Sequence, residues 1–381
     1  MTMKRSNLLW AAALLLAGCS NSDELGGSPE VSENAITFGQ PFVQKSTRAT
    51  GDLNTNTITA ATIKVWGDKY AASGGTVEDV FDATSASDAE VSATLSCTGA
   101  DNPWACSKIA FWEAAYTYDF TAVAPSDVTA AYSTDQTVLA DRKLTVSGIP
   151  VVQTISNADG SKSGDDILVA VTPGQTSTSA GNGVQLSFKH ILSRFSVYAY
   201  TTVATPITIT ALKLYLPVTS ATAGYTQSTH GEVAPRSDAW TWSGFTNVAD
   251  AADATALDGK YTGYDIVTAA TEALPVCPTP AEAIKKTGGA LLLPQEFFIA
   301  PTAVKDVPTT TDLQLYMDIT FTYNGKDYSR TCVPVQDLHS FTQGYQTNLY
   351  ICVNEPKQAI SFSDMTVNGW TDDDHTATVN E

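Results

Sequence analysis

The sequence predicts an all-β protein with two tandem antiparallel β-sandwich domains. Three observations carry that reading. Charged residues make up only 16% of the 381-residue chain, against 43% apolar. Short runs alternate apolar and polar residues at period two, as strands with one buried face do. Gly and Pro, 25 and 17 residues, punctuate those runs with turns. Residues 280–286 alone read as a short helix, with Pro280 near its first turn.

Taken in order, residues 62–66 (TIKVW) alternate, and residues 116–125 alternate until Pro125 closes the run. Residues 166–171 (DILVAV) form a short apolar strand bounded by loop residues. Residues 184–188 (VQLSF) alternate, the phase slips through 189–191, and alternation resumes at Phe195, which predicts a bulge or bend. Residues 207–209 and 212–216 follow, ended by Pro217. The clearest hairpin runs from Leu313 to Cys332 around Asn324-Gly325, a pair that favours positive φ. The Ser-, Gly- and Ala-rich stretch 172–183 predicts a linker, dividing a first sandwich at 49–180 from a second at 181–381.

The N-terminus reads as an address. Lys4 and Arg5 precede a short apolar run, and Leu16-Ala17-Gly18-Cys19 resembles a bacterial lipobox. That makes 1–18 a lipoprotein signal peptide and Cys19 the lipidation site. The acidic, Gly- and Pro-containing residues after Cys19 predict a flexible tether. Residues 20–24 (SNSDE) resemble the signal that exports Bacteroidetes lipoproteins to the outer face of the outer membrane. The net charge is −19, and losing the first 48 residues removes four charges of each sign. Such a surface repels nucleic acid.

Catalysis finds no support. His190, His230, His339 and His375 share no ligand spacing, and HExxH, GxSxG and P-loop patterns are absent. Residues 159–166 lack the EF-hand spacing and carry Lys162, so they read as a solvated loop. His190 reads as a packed, hydrogen-bonded strand residue. No metal, cofactor or enzymatic activity is expected. Cys97 with Cys106, and Cys332 with Cys352, are candidate disulfides or simply small buried residues, and Cys277 is left over. Trp240 and Trp242 share one strand face, which supports an alternative: a monomeric outer-membrane lipoprotein that binds glycans.

One short pattern occurs twice. AITFGQPFVQ (35–44) and AISFSDMTVN (359–368) share Ala, Ile, Phe and Val at positions 1, 2, 4 and 9. Ile36, Phe38 and Phe42 are expected to bury on one face of the first copy. Arg48-Ala49 follows in a polar, small-residue segment open to an Arg-specific protease. Cutting there would release residues 19–48, a lipidated tether and first strand. The second copy, with Ile360, Phe362, Val367 and Trp370, would fill the groove of a neighbour. A head-to-tail contact of that kind propagates into a filament.

At this point the chain resembles the fimbrillins, subunits of type V pili in Bacteroidales. The matching segments are AITF with Thr47-Arg48-Ala49, residues 118–122, 166–170, 186–193, 291–295, 344–350 and 360–370. The resemblance implies two transthyretin-like sandwiches, export as a lipoprotein, cleavage after Arg48 and donor-strand exchange by residues 359–370. The expected partners are other copies of the chain, related pilus subunits, the outer membrane before processing, and a host or bacterial surface ligand. A cleavable Arg and a donor strand together favour a stalk subunit over a tip or an anchor.

Overall fold

A computed structural model describes residues 34–43, 58–71, 76–81, 91–97, 104–133, 142–154, 166–178, 183–216, 222–228, 240–243, 257, 261–278, 290–301, 315–335 and 341–367. The described elements are mostly strands, with a 3-10 turn at Ile58–Ala60. In chain order they begin with β1 (Phe42–Val43), β2 (Ile63–Ala71), β3 (Glu78–Asp79), β4 (Ser92–Ser96), β5 (Ala105–Cys106), β6 (Tyr116–Ala124) and β7 (Ala130–Tyr132). β8 (Lys143–Pro150), β9 (Val152–Thr154), β10 (Leu168–Gln175), β11 (Ser187–His190), β12 (Ser193–Tyr200), β13 (Ile207–Leu216) and β14 (Thr222–Ser228) follow. The last are β15 (Trp240–Ser243), β16 (Thr262–Val267), β17 (Leu291–Ile299), β18 (Leu315–Tyr323), β19 (Lys326–Val335), β20 (Gln346–Cys352) and β21 (Ser361–Val367). The expected helix at 280–286 lies outside the described residues.

Four sheets result. The first runs β1-β11-β10-β6-β2-β4-β5, with β3 added to β2. The second runs β21-β20-β12-β17-β9, the third β16-β13-β18-β19 and the fourth β15-β14-β8-β7. Both faces of the first sheet are buried. Tyr118, Phe120, Ala122, Leu168 and Ala170 point to one core. Val123 and Val169, of opposite parity, point to another that includes Leu144, Val146 and Tyr225 of the fourth sheet. Two buried faces explain why residues 167–171 read as a continuous apolar run. The second and third sheets enclose a separate core built from Phe195, Val197, Ile207, Leu214, Met317, Phe321 and Leu349.

The late hairpin forms as expected. Tyr323 pairs with Lys326, and Asn324 and Gly325 take φ of 50° and 71°. The phase slip at 189–191 is more than a bend, because there the chain changes sheets. β11 belongs to the first and β12 to the second, and Ile191 and Leu192 form a buried corner between them. The division expected at 180 falls between β10 and β11, which pair antiparallel in one sheet. Residues 172–175, expected in a linker, extend β10, and Gly174 supplies its positive-φ kink with φ of 70°. β9, from the first half of the chain, pairs with β17 in the second sheet. Sheet membership therefore does not change at a single point along the chain.

The cysteine expectations change too. Cys332 lies in the third sheet and Cys352 in the second, so they are not on adjacent strands. Cys106 lies on β5 opposite Leu95 of β4, and Cys97 directly follows β4. None of the five described cysteines forms a disulfide, and Cys277 and Cys352 are buried.

Candidate functional site

Residues 36–43 occupy the gap between the two ends of the first sheet. On one side, the Val184 N–H donates to Thr37 O (2.8 Å), Gly39 N–H to Val184 O (3.0 Å) and Phe42 N–H to Leu186 O (2.9 Å). β1 then runs parallel to β11, with Phe42 opposite Ser187 and Val43 opposite Phe188. On the other side, Ile36 N–H donates to Ala110 O (2.8 Å), and Phe38 bridges antiparallel to Trp104, next to β5. The segment therefore acts as the stave that closes the sheet around its core. Without it, two sheet edges would lose their partners, and unpaired edges are a template for any other strand.

The strand also plugs that core. Phe38 is 2% exposed, and its ring meets Phe120 edge-on at 5.4 Å. Ile36 and Val43 are buried beside it. Burying three such side chains stabilises by roughly 5–9 kcal/mol, at about 1.5–3 each. Phe42 differs from expectation, since it is 53% exposed. The cause is a one-residue slip. Residues 36 and 38 are buried, 40 is exposed, and burial resumes at 41 and 43. Strict period two from Ile36 would place Phe42 inward. The slip at Gly39-Gln40 turns it out and brings Pro41 and Val43 in.

Gly183 shapes the passage. It sits at φ +86°, and a Cβ there would fall 2.6 Å from Gly39 N and 2.9 Å from Phe38 C. Only a glycine lets the strand pass so close. Sequence reading missed Gly183, Trp104 and Ala110 as parts of the site. A glycine directly before the alternating run 184–188 was a legible hint for the first; Trp104 and Ala110 join the site only through long-range pairing.

The second copy of the pattern lies elsewhere. β21 is the outer strand of the second sheet and pairs antiparallel with β20 without a shift, from Cys352↔Ser361 to Gln346↔Val367. Ile360 and Phe362 are half-buried against that sheet's core. Val367 is placed by its backbone pairing. Cys19, Arg48, Ala49 and Trp370 lie outside the described residues. Trp240 and Trp242 fall on β15, an edge strand paired with β14.

Polar groups elsewhere are structural in their geometry. His190 Nδ1 and Asp166 Oδ2 are 2.7 Å apart and both residues are buried, so Asp166 is no part of a solvated loop. Asp68 and Asp119 face each other across β2 and β6. Arg142 lies 2.8 Å from Asp79 and 3.5 Å from Asp68, and Tyr132 donates to Asp68. Gly174 N–H donates to Asp119 Oδ1 (2.7 Å). Burial pushes the Asp68 carboxyl up to about 6, against the lowering pull of Tyr132 and Arg142. Among the described residues no group of three or more His, Cys, Asp or Glu is placed to hold a metal ion. No described helix is long and apolar enough to cross a membrane.

The profile of fimbrillin-like proteins matches residues 47–370. The chain belongs to the fimbrillin-like family. Fimbrillins are structural proteins, so the chain is a structural protein and not an enzyme. Membership supports a role as a cell-surface pilus subunit that assembles with others. A crystal structure of a fimbrial protein from Bacteroides vulgatus shares the fold, at 17% identity and a TM-score of 0.51, covering 88% of this chain and all of that one. The tip fimbrial protein Mfa3 from Porphyromonas gingivalis aligns over 87% of this chain and 99% of its own, at 8% identity and a TM-score of 0.34. No curated protein matches in sequence.

Proposed function

We propose that this fimbrillin is a stalk subunit that polymerises by donor-strand exchange. Lipidated at Cys19 and exported to the outer membrane, it is cut after Arg48. The strand at 36–43 then gives way to residues 360–367 of a second copy, entering parallel to β11. Cutting matters because the tethered strand competes at high effective concentration, and the freed one does not.

One observation carries the reading. The buried positions of the closing strand are 36, 38, 41 and 43, spaced irregularly by the slip at 39–40. The aligned residues of the second copy are Ile360, Phe362, Met365 and Val367, all apolar. The exposed positions 37, 40 and 42 align with Ser361, Asp364 and Thr366, all polar. The second copy thus reproduces the irregular spacing, which an ordinary alternating strand would not. Where β21 now lies its pairing has no shift. A strand without a shift puts positions 362 and 365 on opposite faces, whereas the closing strand buries both positions 38 and 41.

The test is to incubate residues 20–381 with an Arg-specific protease, beside an Arg48→Ala control, and to follow size by gel and shape by electron microscopy. Fibres or ladders after the cut, absent from the control and from a chain lacking residues 359–381, are expected. A clean cut at Arg48 that leaves a stable monomer would overturn the stalk reading and favour a tip, an anchor or a glycan-binding lipoprotein.

A further inference from the structure

Residues 104–113 line the closing strand on the side opposite β11. Their burial alternates: Cys106, Ala110 and Trp112 pack toward the first core, while Ile109 is 73% exposed and Phe111 49%. Outward positions on a solvated edge are normally polar. Two large apolar side chains there form an exposed apolar pair of the kind that contact surfaces use. They flank Ala110, whose carbonyl receives the Ile36 N–H.

We infer that Ile109 and Phe111 are the contact point for the body of the neighbouring subunit, a second copy of this chain, at the mouth where its strand enters. The inference rests on the strand-exchange reading above, and chain length selects the occupant. When Ile360 of the incoming copy takes the place of Ile36, its N–H meets Ala110. Pro356 lies four residues upstream, a span of at most about 14 Å.

Pro356 belongs to a loop pinned to its own subunit. Asn354 Oδ1 accepts from the Thr202 N–H (2.9 Å), Thr202 Oγ1 (2.9 Å) and Thr201 Oγ1 (3.2 Å). Gln358 N–H donates to Glu355 O (2.8 Å), closing a turn, and Arg330 donates to the Pro356 carbonyl. A fixed exit loop on so short a lead brings the donor's body against residues 109–111. The contact would set the angle between successive subunits, and the entering strand would supply the grip.

Two assays separate the contact from the groove. The first adds a fluorescent peptide of residues 359–370 to cleaved protein and reads its capture. The second reads the initial rate of polymerisation. The double variant Ile109→Ser with Phe111→Ser is expected to capture the peptide within about threefold of the parent, yet to polymerise at least tenfold more slowly. Ile109→Val with Phe111→Leu should restore the rate. A photo-crosslinking benzoylphenylalanine in place of Phe111 should join residues 354–358 of a neighbouring copy. Unchanged polymerisation by the serine variant, or crosslinks confined to other regions, overturns the inference. A parent that captures no peptide sinks strand exchange itself, and this contact with it.

Discussion

Gly183 faces Gly39 so closely that a Cβ on Gly183 would lie 2.6 Å from the Gly39 nitrogen, and Gly183 holds φ at +86°. Both constraints exclude a side chain. Gly183→Ala should therefore destabilise the protein by about 1–3 kcal/mol through backbone strain alone, with the clash added. The loss should concentrate on the closing strand. Urea unfolding measures the global effect, and hydrogen exchange at the Gly39 and Phe42 amides measures the local one. Gly325, at φ +71° in an open turn with nothing within 4 Å of a built Cβ, is the control: alanine there should cost strain but leave exchange at Gly39 and Phe42 unchanged.

Phe38 and Phe42 have the same side chain and opposite environments. Phe38→Ala removes a 2%-exposed ring packed on Phe120, and truncations of that kind cost about 3–5 kcal/mol. Phe42 is 53% exposed, so Phe42→Ala should stay within about 0.5 kcal/mol. Equal losses in chemical denaturation would contradict the slip at 39–40. In a cleaved chain, Phe38→Ala should also speed release of the first strand, read by size exclusion.

That slip illustrates what local pattern can and cannot reveal. Strands such as 116–124 and the hairpin around Asn324-Gly325 were legible, because side-chain alternation and turn chemistry act within a few residues. Burial of Ile36 and Phe38 was legible for the same reason. Phe42 was misplaced because period two holds only while the strand stays regular. Sheet membership was hidden more deeply. β8 pairs with β14 and β9 with β17, and no local signal encodes pairings so distant in the chain. Cys332 and Cys352 lie on strands close in sequence, β19 and β20, yet in different sheets. Asp119, within an apolar run, gave no sign that it would hold the Gly174 amide.

Asp68 gives the protein a stability term that grows on acidification. Its carboxyl is raised to about 6 in the fold, mainly by burial, from an ordinary 3.8. Between those values the folded state holds a proton that the unfolded state lacks. The Asp68 contribution is therefore most favourable below about pH 4 and is lost as pH rises through 6, by at most about 3 kcal/mol. Asp68→Asn removes this titration. From pH 7 to pH 4 the parent should gain stability relative to the variant, measured by urea unfolding at each pH. Parallel profiles would mean that Asp68 ionises normally, held by Arg142 and Tyr132.

The parity of the donor segment offers the sharpest separation of sites. In the kinked passage Met365 aligns with buried Pro41, and Thr366 with exposed Phe42. Met365→Asp would place a charge in the first core, where an unpaired carboxylate costs several kcal/mol. Thr366→Asp would place the same charge in water. Cleaved Met365→Asp protein should then fail to extend, with polymer yield down by two orders of magnitude or more, while Thr366→Asp assembles within a fewfold of the parent. A regular strand entering without the slip predicts the reverse, because strict alternation from Phe362 would turn residue 366 inward and 365 outward. Sedimentation of the two variants after cleavage thus decides both whether residues 360–367 enter the groove and in which register.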